Sequence, residues 1–437
     1  MAMMAVHAFA LNVENTAGNL VNKVNDRNIT SLTVTGTINA ADLYFIADEL
    51  YQLTSLDLSA ARILPCQLSK KRYFKDDFAG DELPQASLAD MRLTSVVLPD
   101  GLKVIGKGAL AGCTQLTNIN LPASLVEIDD YAFAGCTALT RVTIPAAVTT
   151  VGTGAFMRCA SLTQFQVQSG GSLASLGDKA LMDCPALTSI DMGTALQSMG
   201  ELALAGTGLS ELDLTSHHRL DSIGDWAMVL MPLEQVRMPQ ELRYLGDGAL
   251  LYDTQLTIIK LGSKLSRVGN YLLAGTAIAG NLLLPSVSTV GDYALYNVST
   301  LSVVELPATL TYLGERAMAG MTGLTSLTSK AVKVPDLGDQ VWAGVNQSSI
   351  PLTVPRAARY DYQAAYQWQD FIYKDYGLLG DVNGDGEVNI ADINTLIDII
   401  LNDGQGFDED TLVRADVNMD GEINVADVNA LIDIVLS

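Results

Sequence analysis

The chain has 437 residues, 49% hydrophobic, 17% charged and 6% aromatic, with 49 acidic against 26 basic side chains and a net charge of −23. That apolar share excludes a disordered or fibrous chain, and the charge argues against a nucleic-acid partner, because phosphate backbones are held by Lys and Arg. With only His7, His217 and His218 present, imidazole-dependent nucleophilic and zinc chemistry is disfavoured, and no apolar run reaches the length of a membrane span.

Residues 1–10, MAMMAVHAFA, read as the remnant of a secretory signal, a short apolar run closing on the small-x-small pattern Ala8-Phe9-Ala10. Export is therefore expected. His217 and His218 fall in a polar stretch, residues 215–219, that reads as a loop with two exposed histidines.

Self-similarity dominates the chain from Ile29 onward. Segments opening at Leu93, Leu116 and Leu139 align at a period of 23 residues, and later units open at Leu162, Leu187, Leu209, Leu233, Leu256, Ala279, Leu301 and Leu324. Earlier units open at Ile29 and Leu53, with an insertion over residues 65–83. In each unit the fourth and sixth residues are apolar, as with Val96 and Leu98 or Val142 and Ile144. Such alternation predicts a short strand with those residues inward. A Pro often ends it, as at Pro99, Pro122 and Pro145, because Pro cannot donate to a ladder. An apolar-Gly step then predicts a turn and a short helical or irregular return, as at Ile105-Gly106 and Leu313-Gly314. One unit cannot bury its apolar face alone, but stacked copies share a core. The fold class expected is α/β, a curved solenoid on a parallel sheet.

Four of the five cysteines, Cys113, Cys136, Cys159 and Cys184, recur at one place in successive units. Side-by-side Cβ vectors suit bridging poorly, so a buried, reduced column is expected. Residues 356–376 concentrate aromatics, with Tyr362, Tyr366 and Phe371 expected on one helical face as a cap over the open end. A sugar-binding platform is the alternative reading of that segment.

These units resemble the leucine-rich repeats of BspA-like bacterial surface proteins, since spacing, Pro, Gly and Cys recur together over about residues 29–355. Two departures, Ser329 at a sixth position and Ala279 at an opening position, suggest looser coils.

The last 60 residues hold 14 acidic side chains and a single base, Arg414, a composition shift that marks a separate module over 377–437. The other divisions expected are 11–92, an N-terminal cap with the first repeats and the insertion; 93–355, the solenoid; and 356–376, the C-terminal cap. Two segments of the module, opening at Asp381 and Asp416, match at an offset of 35 residues. Each places oxygen donors at loop positions 1, 3, 5 and 12 with Gly at 6, the spacing that wraps a chain around Ca²⁺. The ligands expected are Asp381, Asn383, Asp385, the Glu387 carbonyl and Asp392, then Asp416, Asn418, Asp420, the Glu422 carbonyl and Asp427. Asn389 and Asn424 would contribute directly or through water. Two calcium ions are therefore expected, each loop being followed by one helix, over 393–401 and 428–436, with no amphipathic helix before either loop.

Duplicated loop-helix units of this kind resemble type I dockerins, modules that plug into cohesin receptors and assemble polysaccharide-degrading complexes. The resemblance implies cohesin contacts at Ile390, Ala391, Ile397 and Asp398, and at Val425, Ala426, Ile432 and Asp433. Met419 stands where the first copy has Gly384, a departure at a non-ligand position.

No catalytic constellation emerges; a carboxylate pair among Asp191, Glu211 and Asp213 is the enzymatic reading set aside. The function expected is non-enzymatic, extracellular or cell-surface binding, the solenoid taking a host protein or glycan and the module a cohesin-like receptor. The alternative is a non-catalytic subunit of a polysaccharide-degrading complex.

Overall fold

The computed structural model describes residues 9–72, 75–373 and 377–437. The proposed signal remnant lies almost wholly outside the described residues. From Ala10 the chain is already a strand, Ala10–Asn15, paired in parallel with Ser31–Ile38. The helices α1 (Leu20–Lys23) and α2 (Ala40–Glu49) belong to this N-terminal end. Asp42 organises it: buried at 2% exposure, its carboxylate accepts from Gly18 N at 2.7 Å, Leu20 N at 2.9 Å and its own N-cap, Asn39 N, at 3.1 Å. The insertion folds as an antiparallel hairpin, Cys66–Arg72 with Lys75–Phe78, laid on α2 through Phe78 and Tyr44, whose ring centroids are 5.8 Å apart.

The opening strands pair in parallel with those of neighbouring coils in four successive sheets, as with Arg141↔Gln164 and Val142↔Phe165. Residues at even positions are buried and their neighbours exposed, so one continuous core runs from Val13 to Phe371. The sequence did not announce a second row of strands. The apolar residue before each Gly sits in a two-residue strand, and eight of these stack from Glu82–Leu83 to Tyr244–Leu245, with four more from Arg267–Val268 to Asp336–Leu337. Glycine is required because the coils nearly touch there: a Cβ on Gly246 would lie 2.4 Å from the backbone N of Asp225. The residue after that place ties coil to coil where it is acidic, Asp225 Oδ1 accepting from Asp247 N at 2.9 Å, Asp178 Oδ1 from Glu201 N at 2.8 Å and, after Asp129 in the Gly place, Asp130 Oδ1 from Thr153 N at 2.9 Å. The return segments are turns rather than helix, which leaves the solenoid largely strand and turn.

The cysteine column is reduced and buried, as its geometry required. Each thiol donates to a main-chain carbonyl about one coil back, Cys136 Sγ to Leu110 O at 3.2 Å and Cys159 Sγ to Phe133 O at 3.3 Å. Burial pushes the Cys113 and Cys184 thiols up to about 12. Three expectations need correction. Ile278, at 2% exposure, takes the inward opening place assigned to Ala279, which faces solvent, and the neighbouring strand pairing slips by one residue between Gly280 and Asn281. Ser329 does not loosen its coil: it is buried at 1% and its hydroxyl lies 2.7 Å from that of Tyr362, which donates to Ala331 O at 3.0 Å. His217 is buried and only His218 is exposed.

Tyr362 belongs to α3 (Arg359–Ala364), which is too short to carry Tyr366 and Phe371 on one face. Tyr366 points outward at 76% exposure. The end of the core is instead covered by Tyr362, Trp368 and Phe371 around Trp342, with Trp342 centroids 5.5 Å from Trp368 and 5.0 Å from Phe371. Buried edge-to-face contacts of this kind leave no open sugar platform in those rings.

The remaining residues form α4 (Ile390–Leu401), α5 (Glu409–Ala415) and α6 (Val425–Leu436) around a small core of Val382, Leu396, Ile399, Ala415, Val417 and Leu431.

Candidate functional site

Both loops close the same way. Asp381 Oδ1 accepts from Gly384 N at 2.8 Å and Asp385 N at 3.0 Å, and its Oδ2 from Gly386 N at 2.9 Å. In the second loop Asp416 accepts from Asp420 N and Gly421 N, each at 3.1 Å. Asp385 and Asp420 fold back on Glu387 N and Glu422 N at 2.9 Å. These loops turn tightly enough to put alternate side chains on the inside, and Gly386 and Gly421, with φ of 87° and 89°, sit where a Cβ would be strained.

The helices begin three residues earlier than their apolar pattern suggested. Asn389 and Asn424, position 9 of each loop, are N-caps: their amide oxygens accept from Ala391 N and Ala426 N at 2.8 Å. Asp392 and Asp427, position 12, complete capping boxes, accepting from Asn389 N and Asn424 N at 2.9 Å and from Asn383 N and Asn418 N at 3.0 Å. The position-12 carboxylate is thus fixed in the first helical turn and reaches back into its loop. Both Asp392 and Asp427 have no solvent exposure, and neither forms an ion pair among the described residues. A buried carboxylate without a cation is costly unless something else supplies the charge.

That is the observation on which a metal fits here. The donors at each loop are oxygens only, from carboxylates, amides and a main-chain carbonyl, the set preferred by Ca²⁺. Each carboxylate oxygen of Asp392 and Asp427 spends one lone pair on a backbone N–H and keeps another. Among the described residues no three His, Cys, Asp or Glu side chains form a metal-holding group by themselves, so Asn383, Asn418 and the Glu387 and Glu422 carbonyls would be needed. Burial, reinforced by the Asp427 and Asp420 carboxylates, pushes Asp416 above the usual carboxylate range, partly offset by N–H groups of Gly421 and Asp420.

Contrary to expectation, a helix does precede the second loop. α5 starts at an Asp408 N-cap, whose Oδ1 accepts from Thr411 N at 2.7 Å, and carries Glu409 and Asp410 in its first turn and Arg414 in its last, favourable against the helix dipole. Seven residues were too few to register as a periodic pattern. Its Arg414 explains why the loops differ at position 4. The guanidinium lies over Gly384, where a Cβ would approach Nη2 to 3.1 Å, and Nε donates to Val382 O at 3.2 Å. Met419 lines a cleft toward the solenoid.

Ile390 and Val425, expected at the partner surface, are 70% and 65% exposed at equivalent places on α4 and α6. Ala426, Asp398 and Asp433 are also exposed, while Ala391 and Ile432 are half-buried and Ile397 is 38% exposed.

On the solenoid, the odd strand positions Ser95, Asn118, Arg141, Gln164, Asp213 and Arg237 are all exposed and form a mixed polar sheet face. Asp191, Glu211, Asp213 and His217 line a cleft of about 370 Å³ there, where the strands 189–191 and 211–213 are not paired. Hydrogen bonds from the Thr215 hydroxyl and N–H hold Asp213 below the usual carboxylate range, and burial holds the His217 imidazole down, so it is neutral at pH 7. A glycosidase acid needs a raised carboxyl; Asp213 is shifted the other way.

Stacked coils with two rows of parallel strands, closed by a module of duplicated capped loop-helix units, define a leucine-rich repeat solenoid joined to a dockerin-like module. The sequence family described as BspA type Leucine rich repeat region (6 copies) matches residues 81–207, 174–282 and 280–356, and the Dockerin type I domain family matches residues 379–436. The chain belongs to the BspA-type leucine-rich repeat family and carries a C-terminal type I dockerin. No curated protein matches it. Among solved structures, a leucine-rich repeat protein from Bacteroides ovatus is similar at 19% identity and a TM-score of 0.44, covering 78% of this chain and 87% of that one. A leucine rich cell surface protein from Faecalibacterium prausnitzii is similar at 18% identity and a TM-score of 0.32, covering 69% and 79%. A protein-interaction or scaffolding role and calcium binding follow from the two families, and a dockerin implies a cohesin partner. No helix among the described residues is long and apolar enough to cross a membrane.

Proposed function

We propose that this chain is a non-enzymatic extracellular binding protein whose solenoid takes a protein or glycan ligand on its exposed sheet face and whose dockerin delivers it to a cohesin-type receptor. Two calcium ions would be held, one by Asp381, Asn383, Asp385, the Glu387 carbonyl, Asn389 and Asp392, the other by Asp416, Asn418, Asp420, the Glu422 carbonyl, Asn424 and Asp427. Calcium would supply the charge that the buried Asp392 and Asp427 require, and so contribute folding free energy to the module. The receptor would contact Ile390, Ala391, Ile397 and Asp398, or Val425, Ala426, Ile432 and Asp433. The observation that carries this reading is the exposure of Ile390 and Val425 beside two identically capped loops. Apolar side chains in water at symmetry-equivalent places suit a receptor that takes either face.

The test applies the full chain to immobilised cohesin modules and to an array of polysaccharides, mucin glycans and extracellular-matrix proteins, with calcium and with chelator. Calcium-dependent cohesin binding with saturable matrix-protein binding supports an adhesin. Glycan binding alone supports the alternative, a non-catalytic subunit of a polysaccharide-degrading complex. Saturable binding to nothing on the array would contradict the solenoid's proposed role.

A further inference from the structure

The cap of the solenoid and the second loop of the module meet across a cleft of about 620 Å³, lined by Val332, Pro355 and Arg356 on one side and by Asp416, Met419 and Ile423 on the other. Arg356 spans it. It lies in the 3₁₀ turn Arg356–Ala358, three residues beyond the end of the strand Pro351–Thr353. Its Nη1 donates to Val413 O at 3.3 Å and Arg414 O at 3.0 Å. Those are carbonyls of the last turn of α5, which have no intrahelical partner and welcome a cation. Ala415 comes next, fully buried, and then Asp416, the first donor of the second loop.

α5 is therefore tied at its C-terminal end in two directions. Arg414 reaches to the first loop through Val382 O, and Arg356 reaches in from the solenoid. Among the described residues the second loop is attached to the solenoid in this way, and the two copies differ to match at loop position 4: Gly384 makes room for Arg414, whereas Met419 lines the cleft. Charge favours the contact, since the module is strongly acidic and its sole base, Arg414, is engaged with the first loop. Burial lowers the Arg356 guanidinium from its ordinary value, Asp416 opposing that shift and the neighbouring Arg414 and Arg359 adding to it.

We propose that Arg356 is a positioning residue that couples the second calcium loop to the solenoid, so that calcium at this loop docks the module rigidly and docking tightens calcium in return. The coupling rests on the calcium reading of the two loops. Fixing the α5 carbonyls fixes where Asp416 starts, and an ordered Asp416 holds those carbonyls in place for Arg356. Linkage makes the coupling reciprocal. Coulomb repulsion between a guanidinium and a second cation acts with the opposite sign, and the experiment separates the two.

Calcium is titrated calorimetrically into the full chain, the R356A variant and the R356K variant, and small-angle X-ray scattering follows each with and without calcium. Expected for R356A is one site unchanged and one weakened about five-fold or more, together with a larger radius of gyration in calcium than the parent chain. R356K keeps the charge but not the forked donor that meets two carbonyls, and should fall between. Two sites unchanged in R356A, or one tightened, would overturn the coupling while leaving the calcium reading intact. No calcium uptake by the parent chain would take down the calcium reading and the coupling together.

Discussion

Asp253 occupies the place in its coil that cysteine holds in four earlier ones, fully buried, with Oδ1 accepting from Met231 N at 2.8 Å and Oδ2 without a hydrogen-bond partner. Burial pushes its carboxyl from 3.8 up to about 8, the Met231 N–H opposing. Below pH 4 the folded and unfolded chains both hold the proton, and from there to pH 8 only the folded chain keeps it, so rising pH favours unfolding across that window. At about 1.36 kcal/mol per unit, the loss by pH 7 is on the order of 4 kcal/mol relative to pH 4. Asp253→Asn keeps the acceptor for Met231 N and removes the titration. Urea unfolding of both chains in calcium, at steps from pH 4.5 to 8, should show the parent losing stability steadily relative to the variant. Stability differences that stay constant across the window would refute the reasoning, because a purely steric effect of the amide has no pH dependence.

Burial and pairing have other measurable consequences. Maleimide labelling of the native chain near pH 8 should modify Cys66 and spare Cys113, Cys136, Cys159 and Cys184, which are buried and donate to carbonyls, with all five labelled after denaturation. Fast native labelling of the column, read by mass spectrometry, would contradict its closure. Tyr362→Phe should cost about 1–3 kcal/mol, because Ser329 and Ala331 O lose a buried partner. Adding Ser329→Ala should recover part of it in a double-mutant cycle, and strict additivity in urea unfolding would argue against the pair.

The solenoid was legible because it is written many times over: inward residues at positions four and six, Pro after the strand and Gly before the return recur together. The second row of strands was not, since two residues such as Val104–Ile105 have no period to detect and their pairing depends on the coil before. Ser329 read as a packing defect because its partner, Tyr362, lies 33 residues downstream. The loops were legible residue by residue, as ligand spacing is local. Their helix starts were misplaced because Asn389 and Asn424 serve both as loop position 9 and as N-caps, and a polar cap hides the first turn from an apolar pattern. Arg356 carried no signal in the sequence; only the meeting of chain segments 57 and 58 residues apart reveals it.

The central claim is that the duplicated loops are calcium sites that hold the module together. Calorimetric titration of calcium into the full chain should find two ions per chain, with Asp392→Asn and Asp427→Asn each removing one. Absence of calcium uptake by the parent chain, with helical content unchanged by chelator, would contradict it.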